Sequence, residues 1–208
     1  MSTPFHNIGI LLWGLKDILF PLSKAKACDM VYLRPMEYYA IQVKTGSEEK
    51  YINLFKIKHP HAEIGLHFLQ RRMPIRKGGK VHHELASIFP GYIFIETSDK
   101  LPQTLYWALR RTEGFFRFLK SNQDVQPLSG HDLEIVCHFI KAGSVAEKSK
   151  VYFDEQDRIV VQEGPLKGLE GSIIKVDKRK GRAKIRLDLD NAPFTIDLAF
   201  EVITKAAG

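Results

Sequence analysis

The residues of this chain that could do chemistry are scattered, and their spacing excludes most of it. His82, His83 and Glu84 crowd together, but adjacent side chains on an extended strand point to opposite faces and cannot converge on one metal ion. A polar hairpin loop is the reading this spacing favours. Cys28 and Cys137 are the only cysteines and stand far apart, which fits neither a disulfide framework nor a zinc site and points to a reducing cytoplasm. No GxSxG, Walker or HExxH string occurs, so no catalytic residue, metal or cofactor is expected. What remains is cationic. The net charge is +7 with a pI near 9.3, a balance that favours polyanionic partners.

The distribution of that charge is more telling than its total. Basic residues stand four against two acidic ones in 1–35, 17 against 12 in 36–150, and 10 against 10 in 151–208. Within the last, neutral segment, Lys175, Lys178, Arg179, Lys180, Arg182, Lys184 and Arg186 face a single acid, Asp177. In RAKIRLDL, period-2 alternation sends Ala183, Ile185, Leu187 and Leu189 one way and Arg182, Lys184, Arg186 and Asp188 the other. With Lys178, Arg179 and Lys180 at the preceding turn, the outer face is a compact positive stripe, and arginines that stack and pair with phosphate suit a structured RNA.

The elements that must hold these residues follow from periodicity. Tyr38–Val43 alternates and is rich in β-formers. Lys44-Thr45-Gly46 turns the chain, and Ser47 then caps a helix carrying Glu48 and Glu49 at its positive end, with Tyr51, Leu54 and Phe55 inward. Leu66–Gln70 reads as a strand, and the basic, turn-rich 71–80 follows with Gly78-Gly79 as its hairpin turn. Tyr92–Glu96 is the strongest strand. A second helix is expected from a cap at Ser98 or Asp99 to about Arg111, with Leu101, Leu105, Ala108 and Leu109 inward. Phe115–Leu119 is a short strand, and a third helix starts near Ser129 with Leu133, Val136, Cys137 and Ile140 inward and Gly143 after its end. This order implies an α+β fold with helices on an antiparallel sheet. The small, polar 143–150 reads as linker. Beyond it the pattern is strands only: Asp157–Gln162, Glu170–Val176, Arg182–Leu189 and Phe194–Leu198, a small all-β barrel.

The first 35 residues stand apart. Ile8–Leu22 is apolar but shorter than the ~20 residues a membrane span needs, with Lys16 and Asp17 in its middle. No membrane role is expected of it. A surface-lying amphipathic helix and an extension ahead of a true start at Met36 both fit.

Several strings, taken in order, resemble the NusG family of transcription elongation factors. Tyr39-Ala40-Ile41-Gln42-Val43-Lys44 before Gly46 resembles the opening of its N-terminal (NGN) domain. Ile88-Phe89-Pro90-Gly91-Tyr92-Ile93-Phe94 resembles that domain's FPGY string, and Trp107–Leu119 with Pro127-Leu128 its helix-to-strand segment. Glu163–Gly171 (EGPLKGLEG) followed by Ser172–Val176 resembles the KOW motif. The resemblance spans Glu37–Ala206 and implies an NGN domain over 36–142, a linker at 143–152 and an SH3-like KOW barrel over 153–208.

It also implies roles. Phe89, Pro90, Tyr92 and Phe94 would bind the clamp of RNA polymerase, with Tyr92 and Phe94 sharing one strand face at the partner surface. Lys44, Lys50, Arg110, Arg111 and Thr112 match positions at which the specialised relatives RfaH and LoaP contact the non-template DNA strand, although Glu113 stands where RfaH has arginine. Leu166 falls at the tip by which general members reach Rho or the ribosome, where an aromatic is common. Lys178, Arg179, Lys180, Arg182, Lys184 and Arg186 point instead to a nascent RNA hairpin. The expectation is a monomeric, cytoplasmic, non-enzymatic factor promoting processive antitermination of specific operons, closer to the specialised paralogs. A housekeeping factor coupling polymerase to Rho or the ribosome, and a ribosome-associated KOW RNA-binding protein, are the alternatives.

Overall fold

The computed structural model describes residues 36–204; the leader 1–35, with its two readings, and residues 205–208 lie outside the described residues. Strand β1 (Glu37–Val43) runs antiparallel to β5 (Tyr92–Thr97) and to β6 (Phe115–Phe118), and β2 (Gly65–His67) completes the order β2-β5-β1-β6. The alternation in β1 and β5 serves two cores. Tyr39, Ile41, Val43, Ile93 and Ile95 are buried with Tyr51, Ile52 and Phe55 of helix α1 (Glu48–Lys58) and Leu109 of helix α2 (Gln103–Arg111). Ala40 and Phe94 turn to the opposite face, where helix α3 (Gly130–Lys141) supplies Ile135, Val136 and Phe139. A sheet buried on both faces explains why YYAIQV and YIFIE carry apolar residues at nearly every position.

Two helices differ from their expected form for identifiable reasons. Helix α2 starts only after Pro102, not at Ser98 or Asp99, because the residue before a proline is driven out of the helical region. On α3 the fully buried residues are Ile135, Val136 and Phe139, with Leu133 and Ile140 packed at the margin. The buried stripe is wider than the expected one because the helix is covered from two sides, by the sheet and by the C-terminal strands.

The basic stretch expected to be turn-rich is a long hairpin arm. Strands β3 (Gln70–Lys77) and β4 (Lys80–Ser87) pair from Gln70↔Ser87 to Lys77↔Lys80, with Gly78 and Gly79 both at positive φ in the turn. His82 and His83 are exposed strand residues on β4. Pro74 is tolerated inside β3 because the neighbouring β7 (Val145–Ala146) reaches only Gln70 and Arg71, leaving that edge open beyond them.

The segment expected as a linker carries two short strands. β7 adds to the arm and β8 (Ser149–Phe153) enters the C-terminal sheet, pairing in parallel with β12 (Ala192–Val202) and antiparallel with β9 (Ile159–Glu163). With β10 (Ile173–Asp177) and β11 (Arg182–Leu189) the order is β10-β11-β12-β8-β9, and a single 3-10 turn at Glu170–Ser172 precedes β10. Ala183, Ile185, Leu187 and Leu189 are all buried, as the alternation in β11 requires. Among the described residues no helix is long and apolar enough to cross a membrane, and no group of three or more His, Cys, Asp or Glu residues is placed to hold a metal ion.

Phe139→Ala is expected to lower the unfolding free energy by about 3–5 kcal/mol in urea titration. Phe116→Ala, at a residue 70% exposed, is expected to change it by no more than about 0.5 kcal/mol.

Candidate functional site

The FPGY turn is pinned by three groups that the sequence places far apart. The Gly91 N–H donates to Glu48 Oε1 at 2.7 Å, and the Val43 N–H donates to the Gly91 carbonyl at 2.7 Å. Gly91 has φ +82°, and a Cβ there would stand 2.9 Å from Thr45 Oγ1 and 3.2 Å from the Val43 carbonyl oxygen, so only glycine fits. Glu48, expected only to favour the helix dipole, is instead buried and turned inward onto this turn. Ser47 makes no side-chain cap bond.

The turn sets Phe89 at the centre of an aromatic cluster. Its ring meets Phe94 at 5.1 Å, Phe139 at 5.8 Å and Phe194 of β12 at 5.6 Å between centroids, all edge-on, the arrangement aromatic pairs prefer. Tyr92 and Phe94 do share a face, as strand alternation requires, and Ile93 and Ile95 take the other. That shared face is not free in this arrangement. Phe94 is 0% exposed and Phe89 is 2% exposed, while Tyr92 is half-buried and Pro90 exposed. The expected placement of Phe94 at a partner surface is corrected: α3 and the C-terminal strands close over it. A mainly apolar crevice of about 420 Å³ remains beside Pro90, Tyr92, Pro193 and Phe194.

Polar contacts join the same two parts of the chain. His138 Nε2 donates to the Pro165 carbonyl at 2.8 Å, and the Asp190 N–H donates at 3.0 Å to Asp132 Oδ1, whose other carboxylate oxygen lies 3.6 Å from Lys120 of the same part. Arg182 donates to the Pro74 carbonyl. Burial pushes the Arg71 guanidinium below its ordinary pKa; the Asp197 carboxylate partly offsets this, and neighbouring Arg182 adds to it. The Nε atoms of Arg71 and Arg182 are buried without a hydrogen-bond partner, and an unsatisfied buried donor costs about 1–3 kcal/mol. Contact between the two parts is well packed at Phe89 and poorly satisfied at these arginines.

The candidate DNA positions fall into two groups. Lys50 and Glu113 form an ion pair at 3.0 Å that ties α1 to the turn after α2, and Lys50 holds the exposed Glu113 carboxyl below its usual range. Arg110 lies over the Tyr106 and Trp107 rings at 5.4 and 5.3 Å and Arg111 over Trp107 at 5.6 Å, and Lys44 is exposed. Thr112 is a correction. It is 2% exposed and its hydroxyl donates to the Ala108 carbonyl at 2.9 Å, closing the helix end, so it offers nothing to a strand outside.

Leu166 is a second correction. It is fully buried, and its N–H donates to the buried Ser149 hydroxyl at 2.9 Å. Gly164 before it has φ +99°, and a Cβ there would meet Ser149 Cα at 2.6 Å. The GPLKGLEG string thus locks β8 against its own turn and carries no exposed tip at Leu166. The basic stripe stands as its alternation requires: Lys178, Arg179, Lys180 and Arg186 are exposed, and Arg182 and Lys184 are half-buried on the outer face. Lys178 pairs with Asp157 and lies 3.9 Å from the Phe153 ring centroid, and Lys180 pairs with Asp177 at 3.8 Å. Sequence reasoning missed Glu48, Asp132, His138 and Phe194. Their roles are set by partners more than 25 residues away, which no local spacing reports. Glu48→Ala is expected to destabilise the fold by about 1–3 kcal/mol in urea titration, because the Gly91 N–H loses its acceptor.

Comparison with known proteins gives the same direction. Residues 36–137 match the family model described as "NusG: Transcription termination factor nusG". The chain is similar to the "Transcription termination/antitermination protein NusG" of Thermus thermophilus, 23% identical over 82% of this chain and 99% of that one. It is similar to the protein of the same name from Neisseria meningitidis serogroup B, 25% identical over 81% and 97%. The solved structure "Domain interaction in Thermotoga maritima NusG" aligns with 79% of this chain and 93% of that one, at TM-score 0.44 and 16% identity. Residues 36–137 of this chain thus carry the domain that the NusG family model describes, and similarity to relatives of that name extends well beyond them.

Proposed function

We propose that the chain binds RNA polymerase through the Pro90–Tyr92 surface and promotes processive antitermination of specific operons. The observation that carries the reading is the Glu48–Gly91–Val43 clamp. It fixes Pro90 and Tyr92 in one rigid presentation on the sheet face away from α1 and α2, and rigid aromatic anchors are what a protein interface rewards. Phe89 and Phe94 support that surface from beneath. Their part is to hold the turn, and contact with the polymerase clamp falls to Pro90 and Tyr92.

Phe194 and Pro193 lie against this surface, so binding requires the C-terminal strands to move off it. The orphaned guanidinium nitrogens of Arg71 and Arg182 favour that opening, because water satisfies them once the contact parts. Lys44, Lys50, Arg110 and Arg111 supply phosphate contacts to the non-template strand, which are salt-dependent and largely sequence-blind. The stripe Lys178–Arg186 takes RNA. The absence of an exposed tip at Leu166 and the outward cations of β11 support a specialised factor. A second reading, a general factor coupling polymerase to Rho or the ribosome, is supported by the names of the relatives. A ribosome-associated role without polymerase is the reading that loss of polymerase binding would leave.

Core polymerase retention on immobilised protein tests the proposal. Pro90→Ser with Tyr92→Ser is expected to weaken retention at least about 30-fold, the scale of an interface hot spot. Phe194→Asp, which dislodges the cover, is expected to strengthen it. Retention that both variants leave unchanged contradicts the surface assignment. Changing Arg110 and Arg111 to Glu is expected to lower affinity for a transcription bubble and flatten its salt dependence, read by anisotropy at 50 and 200 mM salt, while retention on core polymerase stays as in wild type.

A further inference from the structure

The hairpin arm and the C-terminal strands enclose a cleft of about 580 Å³ whose walls come from both. One wall is β3–β4 with Pro74, Arg76 and Val81, and the other is the β10–β11 turn from Lys178 to Arg182, with Lys148 between them. Every charged residue lining it is basic: Arg76, Lys148, Lys178, Arg179, Lys180 and Arg182. Lys178 and Lys180 have the partners Asp157 and Asp177, but among the described residues Arg76, Lys148 and Arg179 have no acidic partner. An adjoining cleft of about 180 Å³ shares Lys180 and Arg182 and adds Lys175 and Lys184, but there the acids Asp177 and Asp197 also line it. Arg186, further along β11, lines neither.

Six cations around one crevice repel one another, and among the described residues no ion pair offsets Arg76, Lys148 or Arg179. Such a wall is neutralised by an external polyanion. The crevice is open along its length and has apolar flanks at Ile75, Val81 and Val202, against which sugars and bases can lie while phosphates meet the cations.

We infer that this composite cleft binds single-stranded RNA, and that RNA bound there holds the C-terminal strands over the Tyr92 surface. The RNA assignment rests on the proposed function, in which the stripe that forms one wall of this cleft takes RNA. The second clause follows from geometry. The cleft exists only while Arg76 and Arg179 face each other, and in that same arrangement Phe194 packs on Phe89. RNA and polymerase are then antagonistic ligands, and by linkage each weakens the other by the same factor.

The test uses the full chain and a fluorescent twelve-nucleotide mixed-sequence RNA, read by anisotropy. With about four phosphates neutralised, affinity is expected to fall roughly 50-fold between 50 and 200 mM salt. Arg76→Glu and Arg179→Glu, one from each wall, are each expected to weaken binding about tenfold or more, a larger loss than one phosphate contact because the charge is reversed. Lys56→Glu on α1, far outside the cleft, is expected to leave it unchanged. Saturating RNA is expected to slow amide exchange in residues 89–92 and 189–196, and to lower polymerase retention. If RNA binds but Arg76→Glu behaves as wild type, the composite cleft is overturned while RNA binding by the stripe survives. DNA of the same sequence or polyglutamate competing as well as RNA overturns the choice of ligand. RNA that leaves exchange at 89–92 unchanged overturns the coupling. Polymerase retention measured without RNA reports on the underlying function separately, so its loss and the loss of the cleft are distinguishable.

Discussion

The ring of Phe89 is where the sheet, helix α3 and the C-terminal strands meet, through Phe94, Phe139 and Phe194. Its position depends on a turn that only glycine permits at Gly91 and that a buried carboxylate, Glu48, holds from the first turn of α1. Burying one aromatic ring against three others is a large hydrophobic gain with a fixed geometry. Two cores flank the sheet, and the Phe89 cluster belongs to the second of them. One lies between the sheet and α1 and α2, and the other runs from the opposite face through α3 into the C-terminal strands.

That economy has a functional consequence under the proposed function. The surface that would meet polymerase is also the surface that the rest of the chain covers. A hydrophobic face suited to a partner is costly to leave in water, and here the protein's own strands occupy it. The cover is imperfect where Arg71 and Arg182 meet it with unpartnered nitrogens, so opening costs less than the aromatic packing alone implies. Charge enters at the same contact, since Arg182 belongs both to this junction and to the basic cleft beside it.

The α+β architecture, the sheet faces and the alternation in β11 were legible in the sequence because each depends on a local period. Tyr92 with Phe94 on one face, and Arg182, Lys184 and Arg186 on another, follow from strand pleat alone. The start of α2 was misread because Pro102 overrides the capping preference of Ser98 and Asp99, and the linker because two short runs, Val145–Ala146 and Ser149–Phe153, become strands only through distant partners. The site was less legible. Thr112 and Leu166 look like surface residues from motif position, yet their hydrogen bonds turn them inward. Phe194 lies about a hundred residues from Phe89 in sequence, so local spacing could not report their contact.

The central claim is that the surface for polymerase is the surface covered by the C-terminal strands. Spin labels at Glu84 on the hairpin arm and Gln162 on β9, in a chain with Cys28 and Cys137 replaced by serine, test it by pulsed distance measurement with and without core polymerase. The account predicts one short, narrow distance distribution in the free protein that moves to longer and broader distances when polymerase binds. A short distribution that persists in the polymerase-bound protein would contradict it.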